Sequence, residues 1–532
     1  QLKIQGVERV FCIPGESFLA ALDGLFDSGI DTIVCRQEGG AAMMAEAYGK
    51  LTGKPGIALV TRGPGATNAA SGVHVAFQDS TPMILFIGQV ARQQRDREAF
   101  QEVDYRGMYG PLAKWVAEIE QTERLPEYLS HAFHVASSGR PGPVVLALPE
   151  DMLSARAEVR DAPPALAVRS PAGSAEAREI GTMLAGAERP LMLVGGGGWS
   201  AECARDLARF AESWQLPVGA SFRCQDYLDN RHPCYVGDVG IGINPALAAR
   251  VREADVLLVL GARLGEMTTS GYTLVNIPSP TQRLIHVHPD PAELGRVYRP
   301  ALGIATAPRS LMPHLAALPA PDDPRWAGRT RQARADYVGW QRPQETPGEL
   351  KMESVVRHLA DTLPEDAIIT NGAGNFSAWV HRYYCYRHYR TQLAPTSGSM
   401  GYGLPAAVAA KLTHPERTVV CVAGDGDLQM TLQEFGTAAQ YGANIIVLVS
   451  NNGMYGTIRM HQERHYPKRV SGTELVNPDF AALARAYGGH GETVTRDRDF
   501  PAALQRALAA GRPAMLDLRV DRAALSPKLR LE

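Results

Sequence analysis

The sequence predicts an α/β protein with three doubly wound parallel-sheet domains, and three observations support that fold class. The chain has 532 residues, which is too long for a single domain. Short β-branched runs alternate with helical patterns along its length, as is typical of parallel sheets with helices on both faces. Two segments rich in Pro and Ala, at 159–174 and 318–349, divide the chain into three blocks. We therefore expect domains at 1–160, 175–318 and 345–532.

Each block contains the order strand, glycine-containing turn, helix. The first block has it in "GIALVTRGPGATNAASGVHVAF", the second in "PLMLVGGGGWSAECARDLARFAESW" and the third in "TVVCVAGDGDLQMTLQEFGTAAQYG". The Gly-Pro-Gly turn at 63–65 and the Gly-Asp-Gly turn at 424–426 give the first and third blocks a common plan, which suggests a duplicated fold. Ligands of such sheets bind at the carboxyl ends of the strands, where these turns lie.

The composition excludes several classes of protein. The formal net charge is -2, from 54 basic and 56 acidic residues without long runs of either sign, so we expect no nucleic-acid partner. Gly, Pro or charged residues interrupt every apolar segment, so we expect no membrane-spanning segment. The first residues lack the pattern of a signal peptide. The seven cysteines form no CxxC pair, which favours reduced thiols and a cytoplasmic location.

Two polar turns in the third block are expected at the same edge of its sheet. Gly-Asp-Gly at 424–426 follows one strand and Asn451-Asn452 follows the next, with 24 residues, 427–450, between them. That length holds a helix and a strand, so the chain returns beside the strand that it left. Each turn alone is a common loop signal. Together, Asp425 and Asn452 would bring hard oxygen ligands to one site, as magnesium or calcium requires, beside a helix N-terminus that favours an anion.

The spacing from Gly-Asp-Gly to Asn-Asn resembles the signature of thiamine-diphosphate enzymes. The likeness covers nearly the whole chain, in the domain order of the acetolactate synthase-like group. It implies a pyrimidine-binding domain, a middle domain and a diphosphate-binding domain, with thiamine diphosphate and Mg²⁺ as cofactors. The implied metal ligands are Asp425, Asn452 and the backbone carbonyl of Met454. Gly426 and Asp427 would contact the cofactor beside them.

A glutamate in the first block matches the catalytic acid of this family. Arg-Gln-Glu-Gly-Gly-Ala at 36–41 resembles the family motif Arg-His-Glu-Gln-Gly-Ala and keeps its glutamate as Glu38, but not the neighbouring His and Gln. The resemblance assigns Glu38 to protonation of the aminopyrimidine ring, which can then take the C2 proton of the thiazolium. From the residues alone, a plain helix cap is the alternative. The family pairs this glutamate with the diphosphate domain of another subunit, which implies a homodimer or homotetramer with shared active sites.

Two further segments correspond to cofactor-binding loops of the family. In "TSGSMGYGLP", at 396–405, the resemblance assigns Met400 to the support under the two rings and the carbonyl of Gly398 to the 4'-amino group. The alternative for Met400 is ordinary core packing, which its position between glycine-rich turns disfavours. The segment "TNGAGNFSAW" resembles the loop that holds the diphosphate through backbone groups. Its expected contacts are Gly374, Asn375 and Phe376.

The substrate side of the site matches the family in part. "REAFQEVDYRG" resembles a segment of acetolactate synthases and puts Phe100 and Gln101 near the substrate, while Arg62 stands where a small residue is usual. Nine residues after Asn452, His461 replaces a tryptophan that selects the larger acceptor in acetohydroxyacid synthases of amino-acid biosynthesis. His461 is either a substrate contact or a solvated helix residue. The adjacent histidine pair of pyruvate decarboxylases is absent from this region.

The favoured function is thiamine-diphosphate-dependent C–C bond cleavage and formation, by decarboxylation and carboligation, on a small 2-oxo acid or related carbonyl compound. The residues leave open whether a proton, a second carbonyl or an oxidant completes the reaction. Whether the protein binds FAD also stays open, because "LVGGGGWS" is a glycine-rich turn and "LGARLGE" resembles a flavin-site segment of the synthases. Alternatives are a flavin-assisted 2-oxo acid oxidase, a nicotinamide or flavin oxidoreductase, and a catalytically silent thiamine-diphosphate-binding protein. No complete GxGxxG fingerprint supports the oxidoreductase, and Glu38 argues against the silent protein.

Overall fold

Three six-stranded sheets, in which all neighbouring strands run parallel, form the centre of the computed structural model. The structure describes residues 1–166, 168 and 170–531. Ala167 and Arg169, within the predicted linker at 159–174, lie outside the described residues, as does Glu532 at the end of the predicted third domain. The predicted fold class, α/β with three parallel-sheet domains, is confirmed.

The first sheet has the strand order β2-β1-β3-β4-β6-β5. Its strands are β1 (Arg9–Cys12), β2 (Asp31–Val34), β3 (Gly56–Val60), β4 (Met83–Gln89), β5 (Trp115–Glu118) and β6 (Pro143–Pro149). Its helices are α1 (Leu19–Phe26), α2 (Glu38–Thr52), α3 (Pro64–Asp79), α4 (Tyr105–Tyr109), α5 (Leu125–Ser137) and α6 (Glu150–Ser154). The two middle strands, β3 and β4, are buried along their whole length, as expected for a sheet covered on both faces.

The middle sheet has the order β12-β11-β10-β7-β8-β9, which is the strand order of classic dinucleotide-binding folds. Its strands are β7 (Pro190–Val194), β8 (Val218–Ser221), β9 (Tyr235–Val239), β10 (Val256–Leu260), β11 (Arg283–Val287) and β12 (Leu302–Ile304). Its helices are α7 (Ser174–Ala185), α8 (Ala201–Trp214), α9 (Pro245–Glu253), α10 (Pro308–Ala316) and α11 (Ala327–Trp340). Helix α11 lies in the second predicted linker, and its Tyr337 packs into the core of the middle sheet.

The third sheet repeats the strand order of the first, as β14-β13-β15-β16-β18-β17. Its strands are β13 (Ile368–Asn371), β14 (Gln392–Leu393), β15 (Val419–Gly424), β16 (Ile446–Asn451), β17 (His490–Val494) and β18 (Ala514–Arg519). Its helices are α12 (Met352–Thr362), α13 (Ser377–Tyr383), α14 (Gly403–Thr413), α15 (Asp425–Leu428), α16 (Glu434–Gln440), α17 (Gly456–His465), α18 (Phe480–Ala486) and α19 (Phe500–Ala509). The shared order agrees with the common plan seen in the sequence.

Helices α2 and α14 join the first and third sheets into one hydrophobic core. Both helices consist largely of Ala, Gly and Met or Leu, so their backbones can approach closely. Gly72 of α3 shows how close the packing around α2 is, because an added Cβ would lie 2.4 Å from the Cβ of Ala42. The carboxyl-end turns of the two sheets are therefore held in a fixed relation within one chain.

None of the helices in the described ranges has the length and apolar composition needed to cross a membrane.

Candidate active site

Asp425 and Asn452 lie at the ends of the adjacent strands β15 and β16, as the spacing predicts. One carboxylate oxygen of Asp425 accepts hydrogen bonds from the backbone N–H of Gly453, at 2.7 Å, and from the Nδ2 of Asn477, also at 2.7 Å. The side-chain oxygen of Asn452 accepts from the backbone N–H of Met454 at 3.2 Å. Burial raises the pKa of Asp425, and these donors oppose that rise by stabilising the carboxylate.

A cavity of about 230 Å³ opens in front of these two turns. The loop after β13, the loop after β14 and the turns after β15 and β16 form its wall, so several strand ends of the third sheet contribute to it. All the residues that the sequence assigned to thiamine diphosphate and the metal line this one cavity. They are Gly374, Asn375, Phe376, Gly398, Met400, Asp425, Gly426, Asp427, Asn452 and Met454.

Asp427 connects two of the loops that surround the cavity. One of its carboxylate oxygens accepts hydrogen bonds from the backbone N–H groups of Ala373 and Gly401, each at 3.0 Å. The other oxygen is buried and has no hydrogen-bond partner within the described residues. Burial raises the pKa of Asp427 to about 7, against the stabilising effect of the two backbone donors. Asp427 therefore holds the cavity walls together and also presents a polar atom that lacks a partner.

Met400 lies on the cavity wall and outside the hydrophobic cores. Its side chain is half-buried, whereas Met44 and Met515 are fully buried within the core. Gly398, two residues earlier, has a φ of +70°, and its N–H donates to the carbonyl of Pro395 at 3.0 Å. This turn exposes Gly398 and directs the loop toward the cavity. The position of Met400 favours a contact with a ligand over ordinary core packing.

The residues predicted from the first block gather at the carboxyl edge of the first sheet. Glu38 begins helix α2, and its carboxylate accepts a hydrogen bond from the Nδ2 of Asn68 at 3.0 Å. Phe100 is 73% exposed, and Gln101 packs over the turn after β3 with a φ of +66°. The residues that line the cavity in front of Asp425 do not include Glu38, Phe100 or Gln101.

Arg62, which is unusual for the family motif, is buried and stabilises the carboxyl edge of the first sheet. Its Nε donates to the backbone carbonyl of Phe100 at 3.2 Å, and its guanidinium forms a 3.0 Å ion pair with Glu150. The backbone N–H of the next residue, Gly63, donates to the hydroxyl of Tyr105 at 2.9 Å. The large residue at this position therefore ties the loop that carries Phe100 and Gln101 to the rest of the first domain.

Sequence reasoning missed Glu434, which supports the turn before Glu38. Its carboxylate, fully buried, accepts hydrogen bonds from the backbone N–H groups of Arg36 and Gln37 at 3.1 Å and 2.9 Å. Burial raises the pKa of Glu434, and the hydroxyl of Thr437 and the two backbone donors oppose this rise. In "TLQEFGTAA" the acid directly precedes Phe435 in a largely uncharged stretch, an uncommon place for a charge, and this was the available signal.

A second cavity, of about 1430 Å³, lies where the three domains meet. His461 lines it but is exposed at the surface of α17, so the geometry is compatible with both of its predicted roles. From the middle domain, the turn after β7 and the segment after β10 contribute the glycine-rich and flavin-like stretches singled out in the sequence. These strands lie where the strand order reverses, which is the usual ligand-binding point of such sheets.

Comparison with known families decides the family of the chain. Residues 1–108 match the thiamine pyrophosphate enzyme N-terminal TPP binding domain, residues 177–315 the central domain, and residues 372–518 the C-terminal TPP binding domain. The chain belongs to the thiamine pyrophosphate enzyme family. It is a thiamine-diphosphate-dependent enzyme, as its motifs predict.

Named relatives over the full length of the chain are acetolactate synthases. The chain is 33% identical over 526 residues to the acetolactate synthase isozyme 2 large subunit of Escherichia coli strain K12, covering 98% of this chain and 94% of the relative. It is 30% identical over 545 residues to a probable acetolactate synthase large subunit of Methanocaldococcus jannaschii, covering 99% and 91%. It is 31% identical over 535 residues to the acetolactate synthase large subunit of Haemophilus influenzae, covering 98% and 93%. The predicted acetolactate synthase-like resemblance is confirmed.

The first prediction concerns the support of the Glu38 turn. Glu434→Ala removes the buried acceptor of two partly buried backbone N–H groups, so we expect a loss of about 1–3 kcal/mol in the free energy of unfolding. Urea denaturation followed by fluorescence measures this loss. Glu416→Ala is the matched control, because Glu416 is an exposed glutamate of the same domain, and its loss should stay within about 0.5 kcal/mol. Equal losses for both variants would contradict the assigned contact.

Proposed function

We propose that this enzyme uses thiamine diphosphate and Mg²⁺ to cleave and form C–C bonds in small 2-oxo acids, in the manner of the acetolactate synthases. The observation that carries the proposal is the single cavity lined by all ten residues assigned to the cofactor and metal. The full-length similarity to acetolactate synthases supports the same reaction class. We take the domains to be 1–160, 175–318 and 345–532, for pyrimidine binding, the middle domain and diphosphate binding.

The metal-binding residues suit Mg²⁺ that is also bound by phosphate. Asp425 offers a carboxylate, Asn452 a side-chain amide oxygen and Met454 a backbone carbonyl, which are hard oxygen ligands. Within the part of the chain that the structure describes, no three His, Cys, Asp or Glu side chains converge on one point. A divalent ion held by so few protein charges needs the oxygens of a bound diphosphate as further ligands. We therefore expect Mg²⁺ and thiamine diphosphate to bind together.

The cavity also has the features that a diphosphate and two aromatic rings require. Gly374, Asn375 and Phe376 line the cavity beside the metal turn, and Asp427 lines it as well. Met400 and the carbonyl of Gly398 form another wall, suited to support the rings. When bound, thiamine diphosphate supplies the carbon that attacks the 2-oxo acid and stores the electron pair left by carbon dioxide.

Glu38 holds and moves the proton at the pyrimidine ring. Its carboxyl group lies in the first turn of α2 and keeps one accessible side, while Asn68 donates to one of its oxygens. A carboxyl group can donate a proton to a ring nitrogen and take it back, which is the action of a general acid. In this proposal Asn68 orients Glu38, and Glu434 fixes the backbone that carries it.

In the proposed assembly, which is a homodimer or a homotetramer, two chains contribute residues to each active site. Glu38, Phe100 and Gln101 line neither cavity of their own chain, although Phe100 is strongly exposed. An exposed phenylalanine next to a predicted substrate residue is a feature of a surface that another chain covers. The second chain would bring these three residues to the diphosphate domain of the first.

The larger cavity is the proposed FAD site. Its volume of about 1430 Å³ exceeds that of most small-molecule pockets, which suits an extended dinucleotide. Gly196 and Gly198 have positive φ angles in the turn after β7, where a ligand can approach the backbone closely. Arg263 follows β10 and carries a charge that suits phosphate. Flavin absorbance of the purified enzyme is the direct observation that decides this cofactor.

The substrate is a small 2-oxo acid or a related carbonyl compound, and the enzyme is proposed to work in the cytoplasm. His461, in place of the acceptor-selecting tryptophan, lies on the wall of the larger cavity and would contact the acceptor. An imidazole is smaller and more polar than an indole, so a different acceptor from that of the biosynthetic synthases is expected. Product analysis with pyruvate alone, and with pyruvate plus a series of 2-oxo acids and aldehydes, identifies the donor and acceptor.

The second prediction concerns the metal site. Asp425→Ala and Asn452→Ala each remove an oxygen ligand, so both variants should lose Mg²⁺-dependent binding of thiamine diphosphate. Isothermal titration calorimetry after dialysis against a chelator, with and without added Mg²⁺, measures the effect. Asp499→Ala is the control, since this aspartate of the same domain lies in an exposed turn far along the chain. Wild-type affinity in both metal-site variants would reject the assignment.

The third prediction separates proton transfer from binding. Glu38→Gln keeps the size of the side chain but has no dissociable proton, so cofactor binding should change little. Exchange of the cofactor C2 proton into deuterium oxide should slow by roughly 10²–10⁴-fold, the usual contribution of a general acid or base. Quench-flow NMR on the loaded protein gives this rate, and formation of acetolactate from pyruvate gives the overall activity. If the C2 proton exchanges at the wild-type rate in the Glu38→Gln variant, Glu38 is only a helix cap.

A further inference from the structure

The loop at 394–402, which runs from β14 to α14, joins a hydrophobic core cluster of the described residues only at its last residue, Tyr402. Thr396, Ser397 and Met400 are only half-buried, and Gly398 is exposed. None of these four residues belongs to a hydrophobic core cluster. A loop with this composition would be mobile unless hydrogen bonds from other elements held it.

Asp79, at the end of helix α3 in the first domain, binds the part of this loop before Gly398, whereas Asp427 accepts from the N–H of Gly401 after it. One of its carboxylate oxygens accepts from the backbone N–H of Thr396 at 2.8 Å and also from the hydroxyl of the same residue. The side chain of Asp79 is only 1% exposed. Hydrogen bonds to a buried carboxylate are about twice as strong as neutral ones, so this double contact is a firm anchor.

Lys50, on helix α2, completes the anchor. Its ammonium group forms an ion pair with Asp79 and donates to the backbone carbonyl of Ala394 at 3.2 Å. A second carboxylate, that of Glu46, lies 3.3 Å from the same ammonium group. Burial lowers the pKa of Lys50, but the two carboxylates outweigh this effect and raise it above its ordinary value. The lysine therefore stays charged and holds Asp79 in place.

The middle domain contacts the same loop through Arg223. Its guanidinium donates to the carbonyl of Pro395, which also accepts the N–H of Gly398 at 3.0 Å. Arg223 is buried, and burial lowers its pKa to about 10. Side chains from two other domains therefore bind the loop, all of them at Ala394, Pro395 and Thr396, just before Gly398.

We propose that Asp79, held by Lys50, is a positioning residue that fixes the loop carrying Gly398 and Met400 at the geometry needed for catalysis. The inference rests on the proposed function, because it takes these two residues to contact the rings of the cofactor. The hydrogen bonds end on the backbone at Ala394 and Thr396, so they set the path of the loop. Among the described residues, the hydrogen bonds and ion pair of Asp79 go to Lys50 and Thr396 and not to the metal turns after β15 and β16, so we expect its loss to affect ring geometry more than diphosphate binding.

The test compares two substitutions at the loop end of the contact. Thr396→Val keeps the shape of the side chain and removes the hydroxyl donor, whereas Thr396→Ser keeps that donor. We expect Thr396→Val to lower kcat about tenfold, as the loss of a hydrogen bond to a charged group allows, and Thr396→Ser to stay close to wild type. The Kd for Mg²⁺–thiamine diphosphate should change much less than kcat in both variants.

Substitutions of the acid complete the test. Asp79→Ala should lower kcat by about 10²-fold, since small misplacements of binding groups cost this much. Asp79→Asn keeps an acceptor oxygen for Thr396 but loses the ion pair with Lys50, so it should recover only part of that loss. In the cofactor-free protein, amide hydrogen exchange of the 394–402 segment should be faster in Thr396→Val and Asp79→Ala, and unchanged in Thr396→Ser. If Asp79→Ala does not fold, the two Thr396 variants decide the result.

Unchanged kcat and unchanged amide exchange in Thr396→Val, with an active wild type, would overturn the positioning role while leaving the proposed function intact. Equal falls in kcat for Thr396→Val and Thr396→Ser would also overturn it, since only one of them loses the donor. A wild-type protein that fails to bind thiamine diphosphate would overturn the proposed function and the positioning role together. Faster exchange combined with a fall in kcat and a steady Kd supports the inference.

Discussion

The buried contact between helices α2 and α14 is the constraint on which the rest of the structure depends. Twelve of the 15 residues of α2 are buried, so the helix has no free face for a charge. Glu46 is nevertheless in its middle, and burial raises its pKa. This carboxylate contacts Lys50, Thr81 and the hydroxyl of Tyr402. Tyr402 is the residue directly before α14. The contact between α2 and α14, which joins the two sheets, therefore combines apolar packing with buried charged groups that have hydrogen-bond and ion-pair partners.

The contact between α2 and α14 explains why side chains of one domain form hydrogen bonds with loops of the other domain, far away in the sequence. Glu434, on α16, accepts hydrogen bonds from the backbone before Glu38, and Asp79, on α3, accepts them from the loop before α14. Each domain therefore fixes a segment of the other that is proposed to bind the cofactor. In the proposed dimer those segments serve different sites, so a change in the packing of one chain would alter both sites. In that proposal, the exposed edge around Phe100 is the part of the first domain that contacts the second chain.

The sequence predicted local features well, and contacts across domains poorly. The 24 residues between the two polar turns were enough to place Asp425 and Asn452 at adjacent strand ends, because a crossover connection of that length has few other solutions. The motifs also gathered ten residues that line one cavity. Glu434, Asp79 and Lys50 were not found, because each contacts a backbone group several hundred positions away, and a backbone donor or acceptor leaves no pattern in the sequence. Arg62 was noticed as unusual, but its ion pair with Glu150 depends on tertiary packing.

The central claim is that Glu38 of one chain and Asp425 of another form a single active site. The most direct measurement mixes Glu38→Gln and Asp425→Ala proteins, each inactive alone, under conditions that exchange subunits. A mixed dimer then has one site with both groups intact, and a statistical mixture should recover roughly a quarter of wild-type activity. No recovery, with exchange verified by labelled subunits, would mean that each site is built within one chain and would contradict the claim.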